Sequence, residues 1–169
     1  MHCATRSGGN GKEGAMSDLR VRIRSAEPAD LDSLVSLLAA LFSIEEDFVF
    51  DEPTQRRGLA LMLENERGCV LVAEAEGEVL GMCSGQLLVS TAEGGLSLLV
   101  EDVVVHEQWR RRGVGRLLVE AISGWAKAKK ASRLQLLADR NNGPALDFYA
   151  DLGWQGTALV CLRKNLTPR

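Results

Sequence analysis

The chain has 169 residues, of which 46% are apolar and 25% charged, with a formal net charge of -3. This length fits one domain, and the apolar share is sufficient for a buried core. The acidic balance and the 5% aromatic content disfavour nucleic-acid binding, which usually relies on a basic surface and on stacking rings. No apolar run reaches the ~18 residues that a membrane-spanning helix needs. We therefore expect neither a nucleic-acid partner nor a membrane partner.

The first sixteen residues are rich in Gly and polar residues and show no hydrophobic period. They also lack the apolar centre of a secretion signal. We interpret residues 1–16 as a disordered N-terminal extension or a remnant of cloning, because Met16 could serve as the start. Residues 17–169 then form one domain without an internal repeat or linker.

The cysteine and histidine positions give no sign of a metal site. The four cysteines form no C-x-x-C pair, and the two histidines have no partner at ligand spacing. Cys69, Cys83 and Cys161 lie in apolar runs, where a reduced cysteine behaves as a small hydrophobic residue. This usage is typical of a cytoplasmic protein.

The first half of the domain reads as a strand, two helices and a sheet. A short strand over 21–24 precedes a helix over 31–42, for which Asp30 is a suitable N-cap. A second helix runs from Pro53 or Thr54 to about Asn65. Three apolar runs separated by short glycine-containing turns then predict an antiparallel meander, at residues 69–75, 79–89 and 96–105.

The second half alternates helices with strands. Helical spacing of apolar residues predicts a long helix over 114–129, and a strand follows over 133–138. A short helix over 144–151 ends before Gly153, which is a typical C-terminal capping residue. The apolar run 158–163 predicts a final strand.

A basic loop containing glycines joins the third strand of the meander to the long helix, with the sequence Arg110-Arg111-Arg112-Gly113-Val114-Gly115-Arg116. A helix N-terminus offers unpaired N–H groups and a positive dipole end, which suit a pyrophosphate. The glycines let the backbone approach such a ligand closely. The P-loop and dinucleotide-binding motifs both fail on spacing. The alternative is a solvated charge run between a strand and a helix.

Two segments of the sequence resemble motifs of the Gcn5-related N-acetyltransferase (GNAT) family. Arg110-x-x-Gly113-x-Gly115 resembles the family motif [Q/R]-x-x-G-x-[G/A], and the segment from Asn142 to Trp154 resembles N-x-x-x-x-x-[FL]-Y-x-x-x-G-[FW]. The order of predicted elements agrees over about residues 20–164. The resemblance implies a single-domain α/β GNAT fold, with a mixed, splayed central sheet flanked by helices.

The same resemblance implies acetyl-CoA as the cosubstrate and no metal. It places the pantetheine arm against the backbone of the strand end Val103, Val104 and Val105. It places the pyrophosphate against the loop that begins at Arg110, held by the N–H groups of Arg111, Arg112, Gly113, Val114, Gly115 and Arg116. The Asn142 side chain would contact the coenzyme arm.

The resemblance also implies a catalytic acid, and the chemistry of amine attack calls for a base beside it. Tyr149, the single tyrosine of the chain, would protonate the departing thiolate, because a phenol stays protonated at neutral pH. Its alternative role is that of a core residue. An attacking amine must lose a proton, and we favour Glu101 over Asp102 as the base. Strand alternation predicts that these two carboxylates lie on opposite faces. The position of the base glutamate in the histone-acetylating branch of the family corresponds here to Leu99. We therefore do not expect the base of this chain to occupy the same place as in that branch.

The connector between the first two helices is acidic and aromatic, and in this family it contributes to the acceptor side. It carries carboxylates interleaved with two phenylalanines, namely Glu45, Glu46, Asp47, Asp51, Glu52, Phe48 and Phe50. Clustered carboxylates would attract a cationic amine, whereas a plain solvated acidic loop is the alternative.

The sequence thus predicts an N-acetyltransferase that passes the acetyl group of acetyl-CoA directly to a primary amine of a small molecule or peptide. We expect no covalent enzyme intermediate, because no serine or cysteine stands in a nucleophile context. Two alternatives remain, a catalytically silent acyl-CoA-binding regulatory module and, less favoured, a nucleic-acid binder that uses the basic loop. A homodimer is left open.

Overall fold

The computed structural model of the chain describes residues 20–44 and 48–166. The N-terminal extension predicted for residues 1–16 lies outside this range. The same holds for three carboxylates of the acidic connector, Glu45, Glu46 and Asp47.

The centre of the fold is a mixed sheet of five strands in the order β1-β2-β3-β4-β5. The first four pair antiparallel, and β5 runs parallel to β4. Their bounds are Arg22–Ser25 for β1, Gly68–Ala75 for β2, Glu78–Ser90 for β3, Gly95–Val105 for β4 and Ala131–Leu136 for β5. The predicted meander is therefore confirmed.

Four α-helices flank the sheet, and their bounds agree with the predicted ones within two residues. They are α1 at Leu31–Phe42, α2 at Glu52–Glu64, α3 at Val114–Ala128 and α4 at Gly143–Asp151. Gly153 follows α4 with φ 83°, a conformation that glycine adopts without strain. None of the helices in the described ranges is long and apolar enough to cross a membrane.

The start of α1 differs from the prediction. Asp30 lies in a short 3-10 turn, and its side chain does not cap the helix. Its carboxylate instead accepts hydrogen bonds from the Arg24 guanidinium at 2.6 and 2.9 Å and from the Glu27 amide at 2.8 Å. Because both groups of the Arg24–Asp30 pair are charged and form two hydrogen bonds, the carboxylate ties this turn to β1.

Each face of the sheet buries its own core. On one face α3 packs Leu118 and Ile122, both fully buried, against β-strand residues such as Leu98. On the other face α1 and α2 pack Leu34 and Leu59 against the sheet. Burying one such side chain contributes about 1.5–3 kcal/mol to stability. The two cores together therefore fix the helices on both faces of the sheet.

The predicted final strand over 158–163 is wrong for the described chain. All residues from 155 to 166 are exposed, and no strand is formed there. Leu159 is 87% and Leu162 is 90% exposed. An apolar run forms a strand only where another strand and a buried face are available, and this exposed segment pairs with no strand of the described residues.

Candidate functional site

Strand β4 separates from β5 halfway along its length. The two strands pair from Leu96 to Val100, where β5 ends at Leu136. The following stretch, Val103–Val105, pairs with β3 on its other side. Within the described residues, this half of β4 therefore presents one edge without a strand partner, which fits the splayed sheet expected from the sequence.

A bulge in β4 lies where this separation begins. Cys83 pairs with Val103 and Gly85 pairs with Val100, so Glu101 and Asp102 together oppose Ser84. An extra residue in one strand interrupts the alternation of side chains. The expectation that the two carboxylates lie on opposite faces is therefore wrong: both line one pocket, on the side of α1 and α2.

Hydrogen bonds and burial set the state of the two carboxylates. Ser84 is almost fully buried, and its hydroxyl donates to Asp102 Oδ2 at 2.8 Å. Burial raises the pKa of Asp102, and the Ser84 bond opposes that shift. Burial also raises the pKa of Glu101, with a further contribution from the negative charge of Asp102, while a hydrogen bond with Gln86 lowers it.

The pocket that these carboxylates close has a volume of about 460 Å³, which is within the usual range for small-ligand sites. Its walls are mostly apolar and are formed by residues of α1 and α2, namely Leu38, Phe42, Gly58, Leu59, Leu61 and Met62. Its polar lining comprises Thr54, Gln55, Asn65, Ser84 and Gln86 beside the carboxylates. It can hold an apolar group with a cation at its acidic end.

Sequence reasoning missed the contribution of β3 to this pocket. Ser84 and Gln86 are polar residues two positions apart in an otherwise apolar strand, a spacing that puts both on one face. That pattern was available in the sequence as a signal for a polar site inside the sheet.

The described carboxylates of the acidic connector are engaged in local structure. Asp51 caps α2, since its Oδ2 accepts from the Thr54 amide at 3.1 Å. Glu52 pairs with Arg56 at 2.9 Å, and Arg56 also pairs with Asp32 at 2.7 Å. Asp51 and Glu52 thus have structural roles in α2, which explain their presence without a bound amine substrate.

The basic loop has a backbone shape that glycine and its neighbours impose. Gly113 has φ 83° and stands at the N-cap of α3, which has no side-chain cap. Arg111 also has a positive φ, 59°. The Arg112 guanidinium lies 5.0 Å from the centroid of the Trp109 ring, and Arg110 Nε donates to the Val105 carbonyl at 3.1 Å. The loop is thus fixed to the end of β4, beside a helix N-terminus that lacks a capping side chain.

Two residues at the start of α3 point inward. Val114 is 1% exposed and belongs to the core. A Cβ on Gly115 would lie 3.3 Å from Phe148 Cζ, so this glycine allows α3 and α4 to pack closely. Both residues can therefore offer a ligand only their backbone N–H groups, and Gly115 also has a packing role that the sequence did not reveal.

Helix α4 carries the predicted acid. Asn142 Oδ1 caps this helix by accepting from the Ala145 amide at 3.1 Å. Tyr149 packs between Phe148 and Trp154, with ring centroids 5.1 and 5.7 Å away. Burial, with a smaller contribution from Cys83, raises the pKa of Tyr149 to about 12. The phenol therefore stays protonated over the whole physiological range.

That the site works without a metal stays a prediction. Among residues 20–44 and 48–166, no cluster of three His, Cys, Asp or Glu side chains could hold a metal ion.

Comparisons with known proteins agree with this architecture. An N-alpha-acetyltransferase of Sulfurisphaera tokodaii is 25% identical over 146 residues, which cover 79% of this chain and 80% of that protein. The aminoglycoside N(6')-acetyltransferase type 1 of Stenotrophomonas maltophilia is 30% identical over 108 residues, which cover 62% of this chain and 67% of the relative. A stretch of 59 residues is 46% identical to N-alpha-acetyltransferase 80 of Mus musculus, but covers only 18% of that longer protein.

The fold matches as well. The aminoglycoside N-acetyltransferase AAC(6')-Iy, solved in complex with CoA, superposes with a TM-score of 0.77 at 17% identity, covering 90% of this chain and 99% of that chain. Residues 32–154, well over half of the sequence, match the family model described as the acetyltransferase (GNAT) family. By these residues and by its fold, the chain belongs to the GNAT family of acetyltransferases.

Proposed function

We propose that this protein transfers the acetyl group of acetyl-CoA to a primary amine that is attached to an apolar body. One observation carries the proposal: a largely apolar pocket ends on the paired carboxylates Glu101 and Asp102, at the place where β4 loses its β5 partner. An amine bound with its apolar part in the pocket would present its nitrogen to the carboxylates. The unpaired edge of β4 lies next to them.

The coenzyme side rests on backbone groups. Val103–Val105 would offer N–H and C=O groups to the amide-containing arm of the coenzyme, as a strand offers them to an added strand. The N–H groups from Arg111 to Arg116 and the dipole of α3 would stabilise the pyrophosphate. Arg110 holds the loop to β4, and Asn142 caps the helix that carries Tyr149. We assign both residues a positioning role, and Asn142 in addition a contact with the coenzyme arm.

The proposed reaction removes two protons from the acceptor nitrogen and delivers one to the sulfur. Glu101 accepts the proton of the acceptor ammonium, so that the neutral amine can attack the thioester carbonyl. The C–N bond forms, the C–S bond breaks, and the sulfur leaves with the bonding electrons. Tyr149 donates its hydroxyl proton to that sulfur, and the resulting phenolate takes up the second proton, which the nitrogen loses as it becomes an amide. Glu101 then returns the first proton to solvent. No covalent enzyme intermediate is needed.

The acceptor class follows from the pocket lining. Leu38, Leu59 and Met62 favour an apolar group over a sugar ring rich in hydroxyls. The relatives include an N-alpha-acetyltransferase and an aminoglycoside N(6')-acetyltransferase, both of which acetylate nitrogen. A peptide N-terminus with an apolar first residue, or a small apolar amine, combines both features.

The silent binding module is not favoured. A module that only binds acyl-CoA has no need of two carboxylates with raised pKa values inside a pocket of acceptor size. It also has no need of the half-buried phenol of Tyr149, which is held between Phe148 and Trp154.

We expect acetyl-CoA to release free thiol in the presence of apolar primary amines. Peptides that begin with Met or Leu should show kcat/KM about tenfold or more above matched peptides that begin with Gly or Glu, since burying such a side chain contributes about 1.5–3 kcal/mol. The measurement is thiol release over an amine panel that includes an aminoglycoside. Leu61, which lines the pocket and is 68% exposed, supplies a matched variant: Leu61→Asn should reduce the preference without unfolding the protein. Binding of acetyl-CoA without thiol release from any amine would instead support the silent module.

The loop makes a separate prediction. Gly113→Val should weaken acetyl-CoA binding by about tenfold or more, because a side chain in the left-handed region costs about 1–2 kcal/mol and would force the loop to change shape. A Cβ at this position meets no neighbouring atom, so folding should be preserved. Calorimetric titration measures the affinity, and Gly124→Ala in α3, where a Cβ also meets no atom and φ is ordinary, is the control. Equal affinity of wild type and Gly113→Val would contradict the placement of the pyrophosphate.

A further inference from the structure

The two carboxylates of the pocket are held in different ways. The Ser84 hydroxyl donates to Asp102 Oδ2 at 2.8 Å and accepts from the Asp102 amide at 3.2 Å, so Asp102 is fixed through both its side chain and its backbone. Glu101 is the more exposed of the two, and the side chain that forms a hydrogen bond with it is that of Gln86. A free glutamate side chain samples several rotamers, so whatever orients Gln86 also orients Glu101.

The register between β3 and β4 brings Gln86 within reach of Glu101. Gln86 pairs with Leu99, and the bulge residue Glu101 lies opposite Ser84, two positions away from Gln86 on the same strand. Diagonal neighbours of this kind are close enough for long side chains to meet. Both side chains line the same pocket, which places the Gln86 carboxamide beside the Glu101 carboxylate.

A directed chain of hydrogen bonds fixes which end of the Gln86 carboxamide faces Glu101. The Arg67 backbone amide, which can only donate, gives its hydrogen to Asn65 Oδ1 at 2.9 Å. Asn65 Nδ2 then donates to Gln86 Oε1 at 3.3 Å. Because the oxygen of Gln86 is engaged in this way, its Nε2 group is left to donate to the carboxylate. Asn65 and Gln86, the amide relay, thus carry the direction of a backbone N–H to Glu101.

The first member of the amide relay is anchored by backbone bonds. Asn65 ends α2, and its amide donates to the Met62 carbonyl at 3.3 Å while its carbonyl accepts from the Gly68 amide at 2.8 Å. The Arg67 carbonyl accepts from the Leu87 amide of β3 at 2.9 Å. A Cβ on Gly68 would lie 2.9 Å from the Met62 carbonyl oxygen, so a glycine is needed for this close turn. The turn is therefore held between α2 and β3.

The charges of the pocket leave an amide as the group that favours an ionised Glu101. Of the described residues that line the pocket, Glu101 and Asp102 are the charged ones, because those of α1, α2 and β3 are apolar or carry amides and hydroxyls. Burial and the negative charge of Asp102 both raise the pKa of Glu101, and the hydrogen bond with Gln86 lowers it. An N–H donor to the ionised form acts in this direction.

We propose that Asn65 and Gln86 are positioning residues for Glu101: the amide relay presents an N–H donor to this carboxylate and holds it toward the pocket. Neither carboxamide touches the reacting atoms, and both act through Glu101. The catalytic part of the proposal rests on the proposed function, in which Glu101 is the base. Because Asn65 ends the helix that forms one wall of the pocket, the element that contacts the acceptor also sets the orientation of the base.

Gln86→Met tests the last bond of the amide relay, since it keeps the length of the side chain and removes the donor. We expect the pKa of Glu101 to rise, as followed by carboxyl-carbon NMR titration, with Glu101→Gln identifying the signal. The rate at neutral pH should fall about tenfold, the effect of losing one hydrogen bond to a charged group, and the deficit should shrink as pH rises. Gln55→Met is the matched control, because Gln55 lines the same pocket but accepts from the Asp51 amide at 2.7 Å. It should leave the Glu101 titration as in the wild type, whatever its effect on KM.

Asn65→Asp tests the direction of the amide relay one bond further away. The aspartate can still accept from the Arg67 amide, so the turn should keep its shape, which the thermal midpoint checks. It can no longer donate to Gln86, whose carboxamide should turn over and present its oxygen to Glu101. We therefore expect the Glu101 titration to move in the same direction as in Gln86→Met. The double variant separates this effect from that of the added charge: Asn65→Asp should add little in the Gln86→Met background. An equal increment in both backgrounds would show that the charge acts directly and would refute the relay.

The NMR titration and the rate profile distinguish the failure of the relay from that of the proposed function. An unchanged Glu101 titration in Gln86→Met would overturn the relay, whether or not the protein acetylates an amine. A titration that rises while the acid limb of the rate stays in place would support the relay and would instead contradict Glu101 as the base.

Discussion

Replacing Glu101 with Gln is expected to lower kcat about a hundredfold at neutral pH, the range in which general bases contribute, with acetyl-CoA affinity nearly unchanged. The amide keeps the size and the hydrogen-bonding capacity toward Gln86 but cannot accept the proton of the acceptor ammonium. Because the side chain lies at the pocket rather than in the core, the protein should remain folded. The test measures single-turnover rates and, by calorimetry, the acetyl-CoA affinity on the same preparation of each protein.

The pH profile gives an independent readout of the same residue. Burial and the charge of Asp102 raise the pKa of Glu101, and the base form is the ionised one. The rate should therefore rise with pH through this raised pKa, and the acid limb should lie above the ordinary range of a glutamate, about 4.3. Asp102→Asn removes the neighbouring charge, so we expect it to shift the acid limb to lower pH.

Asp102→Asn is also the matched control for the assignment of the base. Burial raises the pKa of Asp102 in the folded protein, so the fold prefers the protonated form. Stability should therefore fall as pH rises from the ordinary pKa of an aspartate through the raised one. The asparagine removes that cost, and the thermal midpoint should rise at neutral pH but not at acid pH. A larger loss of kcat in Asp102→Asn than in Glu101→Gln would contradict our choice and make Asp102 the base.

Elements whose signals are local were predictable from the sequence. The amphipathic pattern of α3 and the glycine that follows α4 mark boundaries that agree with the structure within two residues. These patterns depend on neighbours three or four residues away along the chain. The same holds for the meander, whose strands are joined by short turns.

Features that depend on distant partners were not predictable. The bulge that brings Glu101 and Asp102 to one pocket arises because two residues of β4 oppose Ser84 alone. The sequence of one strand does not show how many of its residues lie opposite each residue of the next strand. Residues 158–163 have the pattern of a strand, but whether a strand forms depends on which edge accepts it. The packing role of Gly115 likewise depends on Phe148, which lies on another helix and would be 3.3 Å from a Cβ at this position.

The departing thiolate defines what Tyr149 must do. Burial raises the pKa of the Cys83 thiol in the core of the sheet, because apolar surroundings disfavour a thiolate. A coenzyme thiolate that departs into apolar surroundings would also be disfavoured, and burial raises the pKa of the Tyr149 phenol to about 12. The phenol, which stays protonated at neutral pH, can then supply the proton that the departing sulfur needs.

Tyr149→Phe should accordingly reduce kcat by about a hundredfold or more, as expected for the loss of a general acid, while the acetyl-CoA affinity changes little. The ring and its contacts with Phe148 and Trp154 are retained, so the thermal midpoint should stay close to that of the wild type. Tyr149→Ala, which removes those contacts as well, should lower the midpoint and identifies a packing effect. The rate per folded molecule separates the two roles. A well-folded and fully active Tyr149→Phe would show that the hydroxyl is not the acid. No second tyrosine exists in the chain to replace it, so water or another kind of group would then protonate the thiolate.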